Sequence, residues 1–225
     1  MRKLMFFCRR RPDITHEQYA QRVLHGHVPL ALRHHPTMRH YVVNIVDSVL
    51  TPDAPEIDSV AELSFDTLED FRERLYDSPE GEKIIHEDVV GFMGGADSYE
   101  VTPHAHRSRA ASSFGSPTPG PKLVMAIQRK DGLSREQFVE HWIGHHAPLI
   151  LERNPSATHY VTNVVDSRLS DGGPDLDGIA ELAFPSEDDM KRELFNPEHS
   201  QRVLEDNAKF IGTLRAWIAT EHPQK

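Results

Sequence analysis

Two hydrophobic periods alternate along the chain, and their order comes round twice. Leu4 to Arg9 is a short apolar run compatible with a strand, and Pro12-Asp13 breaks it. Thr15 and Gln18 form a T-x-x-Q capping box, repeated as Ser134 and Gln137, so a helix is predicted to start at each. These helices are predicted to reach about Leu32 and Leu151, with a kink or reset at Pro29 and Pro148. His40 to Val46, dense in Val and Ile, reads as a second strand, and Val60 to Phe65 as a third. Leu50 to Asp58 and Leu169 to Asp177 are Pro- and Asp-rich loops. Thr67 and Ser186 can cap helices reaching about Tyr76 and Phe195. Pro79 and Pro197 open further helices reaching about Phe92 and Phe210. Strands near Ser98 to Thr102 and Arg215 to Thr220 close the two units.

The recurrence is a tandem repeat. At an offset of 119 positions His27-Val28-Pro29-Leu30 falls on His146-Ala147-Pro148-Leu149, and His40-Tyr41-Val42-Val43-Asn44 on His159-Tyr160-Val161-Thr162-Asn163. Ala61-Glu62-Leu63 falls on Ala180-Glu181-Leu182 and, after a one-residue deletion, Glu87-Asp88 on Glu205-Asp206 and Phe92 on Phe210. The reading is a first domain over 1–104, a Ser/Pro/Gly-rich linker over 105–120 and a second domain over 121–225. Within a copy the order β-α-β-β-α-(α)-β is the ferredoxin-like arrangement, an antiparallel sheet with helices on one face. The second strand is apolar on both sides, so its open face needs a cover. The expected fold class is therefore α+β, with the sheets of two ferredoxin-like repeats packed as an intrachain pseudo-dimeric α+β barrel around a cavity.

Composition narrows the function classes. Lys and Arg number 25 against 35 Asp and Glu, a net charge of −10, so the chain lacks the basic footprint of a nucleic-acid binder. No apolar run approaches the roughly 20 residues of a spanning helix, and Leu4 to Cys8 is too short for a signal peptide. A cytoplasmic protein with no membrane partner is expected. Cys8 is the only cysteine, which leaves no intrachain disulfide or cysteine zinc site, and it falls on Ile127, a core position. No Gly-rich phosphate loop, dinucleotide fingerprint, Ser-centred elbow or CxxC occurs, and no cofactor is expected.

Five motifs recur in both copies: His-x-Pro-Leu late in the first helix, a His-Tyr-hydrophobic strand, Ala-Glu-Leu-x-Phe on the third strand, Asn/Ser-Pro-Glu after the second helix, and Glu-Asp before a Phe. On these each copy resembles the EthD domain of the dimeric α+β-barrel group. The resemblance implies small barrels implicated in breakdown of ethers and aromatics. Other members look like cofactor-free isomerases, cyclases or decarboxylases acting on lactones and polyketides. Fusion of two copies departs from single-domain relatives, so the two sites need not be equivalent.

The chain holds 15 histidines, of which His27 pairs with His146 and His40 with His159 across the repeat. His27 and His146 lie late in a helix, where carbonyls freed by the proline and the helix dipole would favour imidazolium. His is the natural acid or base near neutral pH, so His27, His146, His40 and His159 are the catalytic candidates. Strand alternation puts His40, Val42, Asn44 and Val46 on one face, repeated by His159, Val161, Asn163 and Val165. Asn44 and Asn163 would orient a carbonyl or hydroxyl; Tyr41 and Tyr160, on the opposite face, are further binding candidates. Glu62 and Glu181, between apolar residues, are acid/base candidates with raised pKa, the alternative being a carboxylate paired with an arginine or capped by backbone amides. Phe6, Phe7, Met125, Tyr19, Phe138 and Trp142 read as core, with a minority of them lining the cavity. His141 and His145 have helical metal-ligand spacing, but Arg22 and Gly26 face them in the other copy, and no metal is expected. The expected function is cofactor-independent His acid/base chemistry (isomerisation, cyclisation, dehydration or decarboxylation) on a small hydrophobic aromatic, lactone or polyketide-like compound. The alternatives are a non-catalytic binding accessory of an oxygenase system, or a haem or metal member of the group. A further homodimer is compatible with either. Trp142 against Val23 marks divergence of the copies beside the His motif.

Overall fold

Side-chain caps set the helix starts. In the computed structural model, which describes residues 1–109 and 113–225, Thr15 and Gln18 form a reciprocal capping box, as do Ser134 and Gln137, and Thr67 with Asp70. The first repeat runs β1 (Arg2–Arg10), α1 (His16–Gln21), α2 (Val28–His34), β2 (Met38–Val49), β3 (Ser59–Phe65), α3 (Leu68–Arg72), α4 (Pro79–Val90) and β4 (Met93–Arg107). The second runs β5 (Lys122–Arg129), α5 (Arg135–His141), α6 (Ala147–Arg153), β6 (His159–Arg168), β7 (Gly178–Ala183), α7 (Glu187–Leu194), α8 (Pro197–Phe210) and β8 (Ile211–Pro223).

The long first helix of each repeat is divided by a π-helical turn, Arg22–His27 in one and Trp142–His146 in the other. Its widened ring is seen where the Val28 N–H reaches back to the Val23 carbonyl. The predicted reset thus precedes the proline. Pro29 and Pro148 fall in the first turn of the following helix, where a missing N–H costs nothing. The inserted residue rotates the next turn and brings His27 and His146 to the end of the π turn.

The eight strands close into one antiparallel barrel in the order β1-β3-β2-β8-β5-β7-β6-β4. Closure is reciprocal: β4 leaves β1 of its own repeat to pair with β6, and β8 leaves β5 to pair with β2. These last strands are longer than the sequence implies because their far halves serve the other repeat. β4 runs to Arg107, three residues into the segment read as linker. Of that segment, residues 110–112 lie outside the described residues. Gly115 and Thr118 donate backbone hydrogen bonds to Pro223 and Glu221 at the end of β8.

Alternation along each strand separates three cores. Leu4, Tyr41, Val43 and Phe65 face the helices of the first repeat, with Tyr19 and Phe92. Tyr160, Leu182 and Phe184 do the same in the second, with Phe138, Trp142 and Phe210. Met5, Phe7, Val60, Val124, Ile179 and Trp217 fill one end of the barrel interior. The other end is ionic.

Candidate active site

Lys3 and Lys122, related by the repeat, lie inside the barrel on the same face as Asn44, Asn163, Glu62 and Glu181. Lys122 Nζ sits 2.6 Å from Glu62, 2.5 Å from Glu181 and 2.9 Å from Glu221. Lys3 Nζ sits 2.7 Å from Glu62 and bonds Glu181 too. Asn44 donates to Glu62 Oε1 and Asn163 to Glu181 Oε1, each at 2.8 Å. Burial alone would raise both carboxyls, but the Lys122 and Lys3 charges outweigh it and hold Glu62 below, and Glu181 well below, the usual range. The expectation of a raised carboxyl is therefore corrected, and the pairing partners are Lys3 and Lys122 rather than an arginine. Each glutamate is already engaged by two ammonium groups and an amide. His159 faces this cluster and is lowered, by burial first. His40 is solvent-exposed at the start of β2. None of these residues lines the cavity of the first repeat.

That cavity, about 170 Å³, lies between the sheet and the helices. His27 and Tyr41 line it, with Tyr19, Ser59, Cys8 and His35, among apolar walls from Phe6, Val23, Ala31 and Phe92. His27 Nδ1 is 3.0 Å from Asp88 Oδ2, and Arg22 holds the other oxygen of Asp88 at 2.6 Å. Burial would raise Asp88, but its hydrogen bond to His27 and the charges of His27 and Arg22 keep it below the usual range, so it stays ionised. An ionised acceptor at Nδ1 fixes that nitrogen as the donor and leaves Nε2 as the basic atom. The partner is thus Asp88, and not the helix carbonyls that sequence reasoning invoked. Tyr19 Oη and Ser59 Oγ are 2.8 Å apart, and the Phe92 ring lies 5.7 Å from Tyr19 and 5.3 Å from His27. Burial lowers His35 to about 4, so it is neutral at pH 7, with Nδ1 donating to the Leu75 carbonyl. Burial pushes the Cys8 thiol up to about 11 and the Tyr41 phenol up as well, so neither ionises at neutral pH.

The second repeat keeps the dyad, but its pocket between helices, about 350 Å³ along Ile150, Asn154, Leu194 and Val203, is not lined by His146. His146 Nδ1 is 2.9 Å from Asp206, which also takes His141 and Lys209. The imidazolium expectation fails at His146, because burial outweighs the aspartate and lowers its pKa. Phe138 stands where Tyr19 does, Ile127 where Cys8 does, Ile150 where Ala31 does and Trp142 where Val23 does, all inside the apolar core. Trp142 is 1% exposed and its six-membered ring packs against Gly178, the counterpart of Ser59. A Cβ there would come within 2.2 Å of the indole ring. The only residue type that admits the tryptophan is the one present.

Sequence reasoning found His27 and missed Asp88, although the Glu-Asp match with Glu205-Asp206 was visible. It placed Tyr19 in the core and left Ser59 unremarked. The contrasts Tyr19/Phe138 and Ser59/Gly178 were the available signal.

Among the described residues no group of three or more His, Cys, Asp or Glu is placed to hold a metal ion. A porphyrin does not fit the cavity either, since about 150 Å³ is what seats a benzene ring.

The EthD domain family model matches the chain twice, over residues 11–96 and 130–213. No curated protein sequence matches it. Among solved structures, an anthrone oxidase-like protein superposes with a TM-score of 0.67 at 10% identity, covering 99% of this chain and 92% of that one. A monooxygenase candidate from Fusobacterium nucleatum gives 0.62 at 6% identity, covering 100% and 93%. Chlorite dismutase from Candidatus Nitrospira defluvii gives 0.54 at 12% identity, covering 98% and 91%. At these identities the likeness is one of fold.

Proposed function

The chain belongs to the EthD domain family, and from that premise we propose that it is a cofactor-independent enzyme whose one working site is the His27 cavity of the first repeat. The observation that carries this reading is the asymmetry of the repeats: the same His–Asp dyad opens on a ring-sized cavity in one, while in the other the counterpart cavity positions are filled by Phe138, Trp142 and Ile150. The substrate class is a single-ring hydrophobic compound carrying an acidic C–H or O–H beside a carbonyl or enol oxygen. His27 Nε2 takes that proton, and ionised Asp88 stabilises the imidazolium that forms. When Ser59 is the donor to Tyr19, the tyrosine's own hydroxyl proton is free for the oxygen on which charge develops. The apolar walls exclude water and strengthen both contacts. Returning the proton to another atom of the substrate is an isomerisation, and giving it to a hydroxide that leaves the anion is a dehydration; in a decarboxylation the substrate carboxylate loses CO2 and the enolate left behind takes its proton from the His27 imidazolium.

Proton abstraction can be tested on surrogates of the natural substrate. Single-ring ketones and lactones are incubated with the protein in D2O, and exchange of the acidic C–H is followed by NMR. Exchange is expected with the unaltered protein and with His146→Ala, and is expected to fall about 10²–10⁴-fold with His27→Ala. Equal loss in both variants, or none in His27→Ala, would overturn the assignment. No exchange above the uncatalysed rate with the unaltered protein, together with binding weakened in His27→Ala, would favour a binding accessory instead.

A further inference from the structure

The apolar end of the barrel carries a second pocket, of about 310 Å³, that the dyad chemistry does not use. Its cover is built twice. Trp217 on β8 donates its indole N–H to the Pro55 carbonyl at 3.0 Å, and Tyr99 on β4 donates its hydroxyl to the Pro174 carbonyl at 2.8 Å. Tyr99 and Trp217 are repeat counterparts, as are Pro55 and Pro174. Each repeat thus latches the long loop of the other over the barrel mouth.

Below the latches, two of the differences between the repeats suit a ligand: one makes room and the other supplies a charge. Where the first repeat carries Phe7, whose ring packs 5.9 Å from Tyr99 and 5.6 Å from Trp217, the second carries Ala126. The volume of one phenyl ring is therefore vacated opposite Phe7, between aromatic walls. Where the first repeat carries Asp97, the second carries Arg215. Arg9 grips Asp97 through two nitrogens, at 2.7 and 3.3 Å, so that carboxylate is neutralised. Arg215 has no such partner. Among the described residues its nearest carboxylate oxygen is on Asp53 at 3.9 Å, and three-quarters of its side chain is withdrawn from solvent.

A ring-sized apolar vacancy with an under-partnered guanidinium at its rim is complementary to an aromatic ring bearing a carboxylate. We propose that the barrel mouth is a second binding site, separate from the His27 cavity, for a monocyclic aryl carboxylate, with the ring against Ala126 and the carboxylate on Arg215.

The chain has two tryptophans and so two indole N–H signals, with Trp217 in the pocket and Trp142 in the core under the second repeat's helices. Benzoate is titrated into the 15N-labelled full chain, and the signals are assigned with Trp217→Phe. The Trp217 signal is expected to move saturably while the Trp142 signal stays still. Arg215→Met is expected to demand at least tenfold more benzoate, and Ala126→Phe, which copies the first repeat, to abolish the shift. Ala126→Leu fills less and stands in if the phenylalanine variant fails to fold. A still Trp217 signal at tens of millimolar benzoate would overturn the proposal. So would equal affinity in Arg215→Met, or loss of the shift in His27→Ala.

Discussion

The closed second repeat is a template for closing the first. Val23→Trp alone would drive an indole into the Cβ of Ser59, because the Trp142 ring tolerates only glycine beneath it. Overpacking of that kind costs about 1–3 kcal/mol. Ser59→Gly removes the obstruction, so the double variant seats the ring as the second repeat does. At ~24 cal/mol per Å³ the cavity of about 170 Å³ corresponds to about 4 kcal/mol of packing forgone in the native protein. Against this stand the Tyr19–Ser59 hydrogen bond, worth about 1 kcal/mol, and a glycine in a strand, about 0.5–1 kcal/mol. The net gain is about 2 kcal/mol, or about 4–8 °C in Tm for a chain of this size. Calorimetric melts of the unaltered protein, both single variants and the double variant give the coupling energy directly. Phenol binding, measured alongside, is expected to vanish in the double variant. Val23→Trp as stable as the double variant, or phenol still bound by it, would refute the packing argument.

Other consequences are reached by simpler assays. Asp88→Asn keeps the shape of the dyad and removes its charge, so the deuterium-exchange rate should drop while substrate affinity holds; a change confined to affinity would contradict the role given to Asp88. Lys122→Met leaves Glu62, Glu181 and Glu221 facing one another with a cation removed, and should cost about 3–5 kcal/mol in urea unfolding. Because Glu62 and Glu181 are held below their ordinary value of 4.5, their contribution is present above that pH and lost as pH falls below it; Glu181→Gln should flatten that acid limb of the urea midpoint. His35, lowered to about 4 from 6.5, binds its proton more readily unfolded than folded between those values. Stability is therefore lost as pH falls from 6.5 to 4, and His35→Asn, the residue of the second repeat, should remove that slope.

Much of the architecture was legible because it rests on local or repeated signals. The capping boxes, the doubly apolar second strand and the offset of the repeat each dictate a feature of the barrel. The π turn was not legible, since the insertion at Val23 to Val28 leaves the hydrophobic period nearly intact and only the proline hints at a reset. The reach of β4 to Arg107 and of β8 to Pro223 was hidden as well, because pairing with another repeat leaves no local mark. At the site, His27 stood out by type and Asp88 did not, because an aspartate late in an amphipathic helix reads as surface. Glu62 and Glu181 misled for a physical reason: alternation correctly faced them into the barrel, but it could not show that Lys3 and Lys122 arrive on the same face to neutralise them. The side chains that separate an open site from a filled one, Val23 and Ser59 against Trp142 and Gly178, were present in the sequence. Their meaning depends on a contact between a helix and a strand that only the fold supplies.

The central claim is that one repeat of the two presents its histidine to a ligand. Selective 15N-histidine NMR during a phenol titration tests it most directly, since each ring nitrogen reports its own environment. The Nε2 signal of His27 is expected to shift saturably at one phenol per chain, while that of the buried His146 remains fixed. Equal shifts at both histidines, or a shift at His146 alone, would contradict the claim.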